Sequence, residues 1–337
     1  MGLLSAIAAL FGKLMFFIYN TIGFHKYVLS LVFFTIVYKL ILLPLSIKQI
    51  RSTQKMQELQ PELQRLQERY KNDREKLNEA TMKFYQEKGY NPTSGCLPML
   101  IQLPIILALF YVIRMPMSYM LEIPAKAVGE MAIVAFDKGE ISKDILKKKN
   151  YEEIKGNAID VYTNLSESDP YFEIKLIETY KKDPEVLSAA QTLSDDQRAL
   201  LTQFDIKMFN FFNLGIVPSL SPKTIGSDPG NYVPALILLI LSVASTFLTT
   251  MLMMPNTNTK KDKNSKDKTP NNGCANKGLL YFSPLMTLWI GTVAPSGLSL
   301  YWTLNNILSF IQQKALNKVY KKEKEENQVV ENDRKRS

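Results

Sequence analysis

The sequence predicts an all-α integral membrane protein with five transmembrane helices, N-terminus outside and C-terminus inside. Three observations carry this. The apolar residues are gathered into blocks rather than spread along the chain. The segments between the blocks differ sharply in charge. Those segments repeat their apolar residues at helical spacing. Averages hide all of this, because 46% hydrophobic and 22% charged residues describe an ordinary soluble chain.

The elements follow in chain order. Residues 1–26 are apolar but short, with Lys13 among Leu, Phe and Ile. They read as an external amphipathic helix lying at the interface, with an uncleaved extra span as the competing reading. Gly2 is followed by no basic stretch, so they are not a standard signal peptide. Ala6 stands where myristoylation needs Ser or Thr. Residues 27–47 form the first transmembrane helix, in which Lys39 is the one charge. Residues 95–114 form the second and residues 232–254, without a charge, the third. A span takes about 20 predominantly apolar residues, which these meet or nearly meet. Residues 279–294 and 297–313 form the fourth and fifth, divided around Pro295, Ser296 and Gly297. A 16-residue helix reaches only about 24 Å across a core of about 30 Å. A single long helix broken at Pro295 to Gly297 would be too long to span once, so a hairpin of two short spans is preferred, with local thinning of the bilayer.

Charge sets the orientation. Residues 48–96 hold 10 basic and 7 acidic residues, 254–278 hold 6 and 2, and 314–337 hold 8 and 5. Residues 115–231 hold 13 basic and 18 acidic residues. Short loops rich in Lys and Arg stay on the cytoplasmic side, which places 115–231 outside and the other three inside. The net charge of +9 is therefore a sidedness signal, not a DNA-binding one.

Between the spans, residues 48–94 read as a cytoplasmic helical hairpin. Met56, Leu59, Leu63, Leu66 and Tyr70 repeat at 3-4-3-4 spacing, Lys71 to Arg74 make the turn, and Leu77, Phe84 and Tyr85 face back. Pro61 is expected to kink the first helix. A plain two-helix coiled coil and a mobile arm for partners are equal readings of this segment. Residues 115–231 read as an extracytoplasmic helical insertion, with Ser194 an N-cap and Asp195 and Asp196 first-turn acids rather than a metal site. Residues 255–278, rich in Lys, Asn, Asp and Thr, read as a flexible cytoplasmic loop. Residues 314–337 read as a basic cytoplasmic tail, disordered at its end.

Several chemistries are excluded. No GxGxxG, P-loop or GxSxG is present, and one histidine and two cysteines leave little for metal or disulfide chemistry. Cys96 and Cys274 fall on the reducing side. What remains is Lys39, nine residues before Lys48 and so about 13 Å from the cytoplasmic end. An intramembrane charge costs about 2.5–3.5 kcal/mol on insertion scales and marks a wet cavity or a partner. A snorkelling lysine is the simpler alternative. None of the five spans contains an acidic residue. That argues against a proton relay or ion-coupled pump and for a cavity with amide and hydroxyl neighbours. Gln102, Ser245, Thr249, Thr250, Asn305 and Asn306 are the candidates.

At these residues the chain resembles the YidC/Oxa/Alb family of membrane-protein insertases. The resemblance lies in Tyr38-Lys-Leu-Ile-Leu-Leu-Pro-Leu-Ser-Ile-Lys-Gln49, Met56-Gln-Glu-Leu-Gln-Pro-Glu-Leu63, Asn91-Pro-Thr-Ser-Gly-Cys-Leu-Pro-Met-Leu-Ile-Gln-Leu-Pro104 and Pro295-Ser-Gly-Leu-Ser-Leu-Tyr-Trp302, with Asn306 and Ile311-Gln-Gln313 following. It covers residues 1–115 and 232–320, and without a large N-terminal periplasmic domain the chain resembles the Gram-positive branch. It implies five helices around a hydrophilic groove open to cytoplasm and lipid, in a bacterial cell membrane. In that groove the family's arginine falls on Lys39, and Trp302 matches a groove-facing tryptophan. Thr249 and Thr250 stand where the family often has glutamines. The implied function is a non-enzymatic insertase and chaperone, which releases spans sideways into the bilayer. The implied partners are nascent membrane proteins and the lipid bilayer, with the ribosome, through the basic tail and loops, and the Sec translocon as further candidates. No cofactor, metal or DNA is expected. A ribosome- or assembly-factor-tethering adaptor is the alternative. A small-molecule transporter would require inverted repeats and midplane carboxylates, which the sequence lacks. The charged hairpin should exchange its amide hydrogens faster than the apolar spans do; exchange as slow as in the spans would contradict a mobile arm.

Overall fold

The computed structural model describes residues 2–91, 97–209, 211–253 and 273–336. Cys96, the Pro92–Cys96 part of the Asn91–Pro104 motif and most of the 255–278 loop lie outside them. The chain divides into two compact units. The first is Met1–Ile36, Leu103–Leu241 and Trp289–Trp302. The second is Val37–Gln102, Ser242–Leu288 and Thr303–Ser337.

The chain opens with α1 (Leu3–Asn20) and α2 (Tyr27–Ile41). Then come α3 (Leu43–Arg69) and α4 (Arg74–Glu87). The first span therefore does not run unbroken to Ile47. It bends by 65° between α2 and α3. Pro44 in the first turn of α3 explains the site of the break, since its ring excludes the carbonyl four residues back and it donates no hydrogen bond. Pro61, by contrast, sits inside α3 without ending it. Tyr70 closes α3, and Asp73 caps α4 by accepting from the Lys76 amide at 3.0 Å. Leu59 and Leu63 are buried between the two helices, while Met56, Leu66, Tyr70, Leu77 and Phe84 are half-buried. A Lys88–Glu62 ion pair at 2.6 Å and a Lys55 hydrogen bond to the Gly89 carbonyl close the hairpin.

Beyond α5 (Leu97–Arg114), the insertion is built from short helices. These are α6 (Pro116–Tyr119), α7 (Ala125–Asp137), a 3-10 turn (Lys143–Ile145), α8 (Tyr151–Ile154) and α9 (Ala158–Ser168). There follow α10 (Phe172–Lys182), α11 (Pro184–Ser188) and α12 (Asp195–Gln203). A two-residue antiparallel pair, β1 (Lys207–Met208) and β2 (Phe212–Asn213), comes next, then α13 (Pro222–Ser227). The remaining helices are α14 (Pro229–Met253), α15 (Gly273–Gly291) and α16 (Ser296–Arg336). The break between α15 and α16 falls where Pro295 removes a donor. The tail is not disordered as expected from its charge. It continues α16 to Arg336, as its Lys, Glu and Gln residues, all good helix formers, allow.

Among the described residues, α1 and Pro229–Leu252 of α14 are long and apolar enough to cross a membrane, and bent α2–α3 makes a third if it is one span. The insertion has a core of its own. On α7, Ala127, Val128, Met131, Ala132, Ala135 and Phe136 share one buried face, set by the repeat of three and four. Val161 and Leu165 of α9 and Phe172, Leu176, Ile177 and Tyr180 of α10 complete it. Two glycines permit contacts that any side chain would block. A Cβ on Gly12 would lie 1.8 Å from the Tyr119 carbonyl oxygen, and one on Gly129 1.9 Å from that of Ala158. Ser194 caps α12 in a capping box with Gln197, as its sequence predicts.

Within this core Glu173 is fully buried. It accepts from the backbone amides of Met117 at 2.8 Å and Ser118 at 3.2 Å, and from the Ser118 hydroxyl. Burial outweighs these donors and nearby Arg114 and raises its carboxyl to about 7. The carboxyl thus holds its proton more tightly folded than unfolded. Its contribution to stability is complete below the unfolded value near 4.5 and is lost as pH rises through about 7. Amide exchange at Met117 and Ser118 should therefore quicken between pH 5 and pH 8 beyond the intrinsic rate, and Glu173→Gln should flatten that excess; an unchanged excess would contradict the assignment.

Candidate functional site

The site belongs to the second unit and begins with Tyr38 and Lys39 in the last turn of α2. The helix breaks just beyond them, so their side chains meet the opening of α3 rather than a continued apolar cylinder. Lys39 is half-buried. Its ammonium donates to Ser309 Oγ at 2.7 Å, and Ser309 Oγ donates to the Asn305 carbonyl at 2.7 Å. The Tyr38 hydroxyl donates to Asn305 Oδ1 at 2.5 Å. The partner of Lys39 among the described residues is thus a hydroxyl and not a carboxylate, which leaves its positive charge uncancelled.

A cavity of about 180 Å³ lies beside it. Lys39, Ser46, Gln49, Thr53, Gln102, Ser309, Gln312 and Gln313 supply its polar wall, and Tyr38, Leu42, Leu45 and Ile50 the rest. That volume holds several waters, and hydroxyls and carboxamides give them both donors and acceptors. The Gln312 amide nitrogen is buried with no hydrogen-bond partner among the described residues. Such a wall can solvate a cation and equally present donors to an acidic or carbonyl group. It holds no His, Cys or carboxylate, and no group of three or more potential metal ligands occurs among the described residues.

The residues singled out by sequence divide into three places. Lys39 and Gln102 line the cavity, and Asn305 stands behind it through Tyr38 and Ser309. Asn306 belongs to a separate polar cluster, where its amide donates to Ser245 Oγ at 3.0 Å and Thr246 Oγ1 at 2.9 Å. Thr287 joins that cluster by donating to Thr246 Oγ1 at 3.4 Å. Thr250 donates to the Thr246 carbonyl, and Thr249 is half-buried nearby in sequence on α14; neither lines the cavity. Trp302 is buried in the first unit.

Sequence reasoning missed Ser309, Gln49, Gln312 and the base of the hairpin. Gln54 donates to Asn317 Oδ1 at 2.6 Å, as does Gln313 at 3.1 Å, and Arg51 reaches both carboxylate oxygens of Glu323 at 3.1 Å. A signal was available. Asn305, Ser309, Gln313 and Asn317 recur every four residues, which is one face of a helix.

These features define a helical integral membrane protein with a half-buried, hydroxyl-bonded cation at a helix break. Residues 17–324 match the family described as the 60Kd inner membrane protein, and the chain belongs to that family. It is 28% identical over 87% of its length to a membrane protein insertase YidC of Treponema denticola, covering 34% of that protein. Shorter stretches match insertases of the same name more closely. One from Clostridium perfringens is 57% identical over 26% of this chain and 36% of its own length. One from Fusobacterium nucleatum is 45% identical over 33% of this chain and 55% of its own. The chain thus spans between about a third and a little over half of these relatives.

A hydrogen bond to a charged group is worth about 1.5–3 kcal/mol. Neutral side-chain bonds between membrane helices average about 0.6 kcal/mol. Ser309→Ala should therefore destabilise the protein more than Asn306→Ala does, measured by denaturant titration in bicelles.

Proposed function

We propose that the chain is a membrane-protein insertase that works without nucleotide, metal or bond-making chemistry. Five helices cross the membrane with the N-terminus out and the C-terminus in, the hairpin and basic tail facing the cytoplasm and residues 115–231 facing outward. The observation that supports this reading most strongly is Lys39, an uncancelled cation hydrogen-bonded to Ser309 beside a cavity walled by Ser, Thr and Gln.

The mechanism follows from solvation. A nascent membrane protein must carry polar and acidic residues past hydrocarbon, where each unsatisfied group costs several kcal/mol. A wet recess with one positive charge lowers that cost by giving those residues donors, and by attracting carboxylates in a low-dielectric setting. The apolar part of the substrate needs no such help and leaves sideways into lipid. Lys39, Gln102 and Asn305 act in this recess, and Thr249, Thr250 and Asn306 belong to the wider groove. The hairpin stripe of Met56, Leu59, Leu63, Leu66, Tyr70, Leu77 and Phe84 holds the arm together and offers its half-buried members to partners. Nascent chains and the bilayer are the partners this mechanism requires, with the ribosome and the Sec translocon as further ones.

Reconstitution into liposomes with a purified one- or two-span substrate tests the proposal. Lys39→Ala should reduce insertion several-fold, and Lys39→Arg should retain most of it, because charge rather than the geometry of a lysine is what the recess supplies. Normal insertion of every substrate by Lys39→Ala would make the charge incidental. Insertion by liposomes alone at the same rate would overturn the function.

A further inference from the structure

A second feature, in the first unit, is a small β-hairpin that presents aromatic side chains to the outside. β1 and β2 pair Lys207 with Asn213 and Met208 with Phe212. Phe212 is fully buried and anchors the hairpin, but Phe209 and Phe211 are 77% and 60% exposed. Their rings stack on each other, 6.5 Å apart and 20° from parallel. Phe209 also has φ +54°, a left-handed conformation that a bulky residue rarely adopts. A tip like this leaves apolar area uncovered by any of the described residues.

The root of the hairpin shows what medium it faces. Phe204, just before β1, packs its ring on Tyr19 at 5.8 Å and on Tyr27 at 5.9 Å. Tyr19 lies in the last turn of α1 and Tyr27 begins α2, so the hairpin is rooted where one apolar helix ends and the next begins. The connection between those helices has the same character. Phe24 is 71% exposed, Ile22 is exposed, and Lys26 follows. His25 sits against Tyr19 at 5.3 Å. Aromatic residues flanked by lysine at helix ends are the composition of the membrane–water interface. Lys26 and Lys207 are exposed beside these rings and suit anionic headgroups.

We propose that Phe209 and Phe211 insert into the outer leaflet of the bilayer, alongside the α1–α2 connection, and hold the external domain on the membrane surface. The occupant of this patch is lipid. Only the word outer rests on the topology proposed above.

The test uses the full chain in nanodiscs of phosphatidylglycerol and phosphatidylcholine. Phe209→Trp adds one tryptophan to Trp289 and Trp302, and its emission is obtained as the difference from the parent protein. The added emission should be blue-shifted, quenched by acyl-chain-brominated lipid and protected from iodide. Emission at the wavelength of water-exposed tryptophan, quenched by iodide and not by brominated lipid, would overturn the proposal. A blue shift untouched by brominated lipid would also overturn it, since the tip would then be covered by protein, such as a second copy. Nanodiscs expose both faces, so this result does not depend on sidedness. Sidedness is read separately by labelling Lys149→Cys, an exposed position of the same domain away from the tip, in intact cells with an impermeant maleimide, with Cys96 and Cys274 replaced by serine. Labelling in intact cells is expected, and labelling only after the cells are permeabilised would overturn the outward orientation while leaving the lipid anchor standing.

Discussion

A charge placed within apolar sequence has to be solvated by the protein, and in this chain that constraint falls on Lys39. Its intrinsic cost is about 2.5–3.5 kcal/mol. A charged hydrogen bond returns about 1.5–3 kcal/mol, so one contact to Ser309 offsets much but not all of it. The remainder calls for water and further dipoles, which the cavity and its Gln, Ser and Thr residues provide. The same demand explains why α16, apolar at its start, carries a polar residue at every fourth position from Asn305 to Asn317. That stripe meets Tyr38 and Lys39 first and Gln54 further on. The helix that carries the partner of the charge is thereby also the one to which the base of the α3–α4 hairpin is bonded. Arg51 and Glu323 extend the seam into the charged region.

The inserted domain solves the opposite problem. It lies in a charged stretch and gathers a compact core from short helices, most of them too short to be stable alone. Close backbone approach at Gly129 and the buried carboxyl of Glu173 hold its elements in place, and Gly12 lets α1 approach it at Tyr119. Glu173 ties α10 to the opening turn of α6 through two amides and a hydroxyl. Its lack of a direct ion pair among the described residues makes it sensitive to protonation in a way that the exposed pair of Lys138 with Asp183 is not. Phe209 and Phe211 give this domain an exposed tip of two stacked aromatic rings.

Much of the site was legible before any coordinates. Lys39 was marked by being the one charge in an apolar block, and Gln102 and Asn305 by being polar residues in apolar ones. Ser309 was not, because a serine is unremarkable in a membrane helix until its neighbour is known. Thr249, Thr250 and Asn306 were selected on the same ground as Gln102, yet they fall in or near a different cluster around Thr246. Polarity within a span says that a side chain avoids lipid; it does not say which helix it turns toward.

By itself the sequence determined what depends on composition and local spacing. It set the apolar blocks, the alternation of basic and acidic segments, the 3-4 stripe of the hairpin, the Ser194 cap and the single charge at Lys39, since each arises from residues close along the chain. The tertiary structure decided that the helix breaks at Leu42, not at Pro61, that Ser309 accepts the Lys39 ammonium, and that Phe204 roots an aromatic tip on Tyr19 and Tyr27. Ser309 lies 270 residues from Lys39, and no local pattern encodes a partner at that separation. Only the fold, by choosing which faces of which helices meet, supplies it.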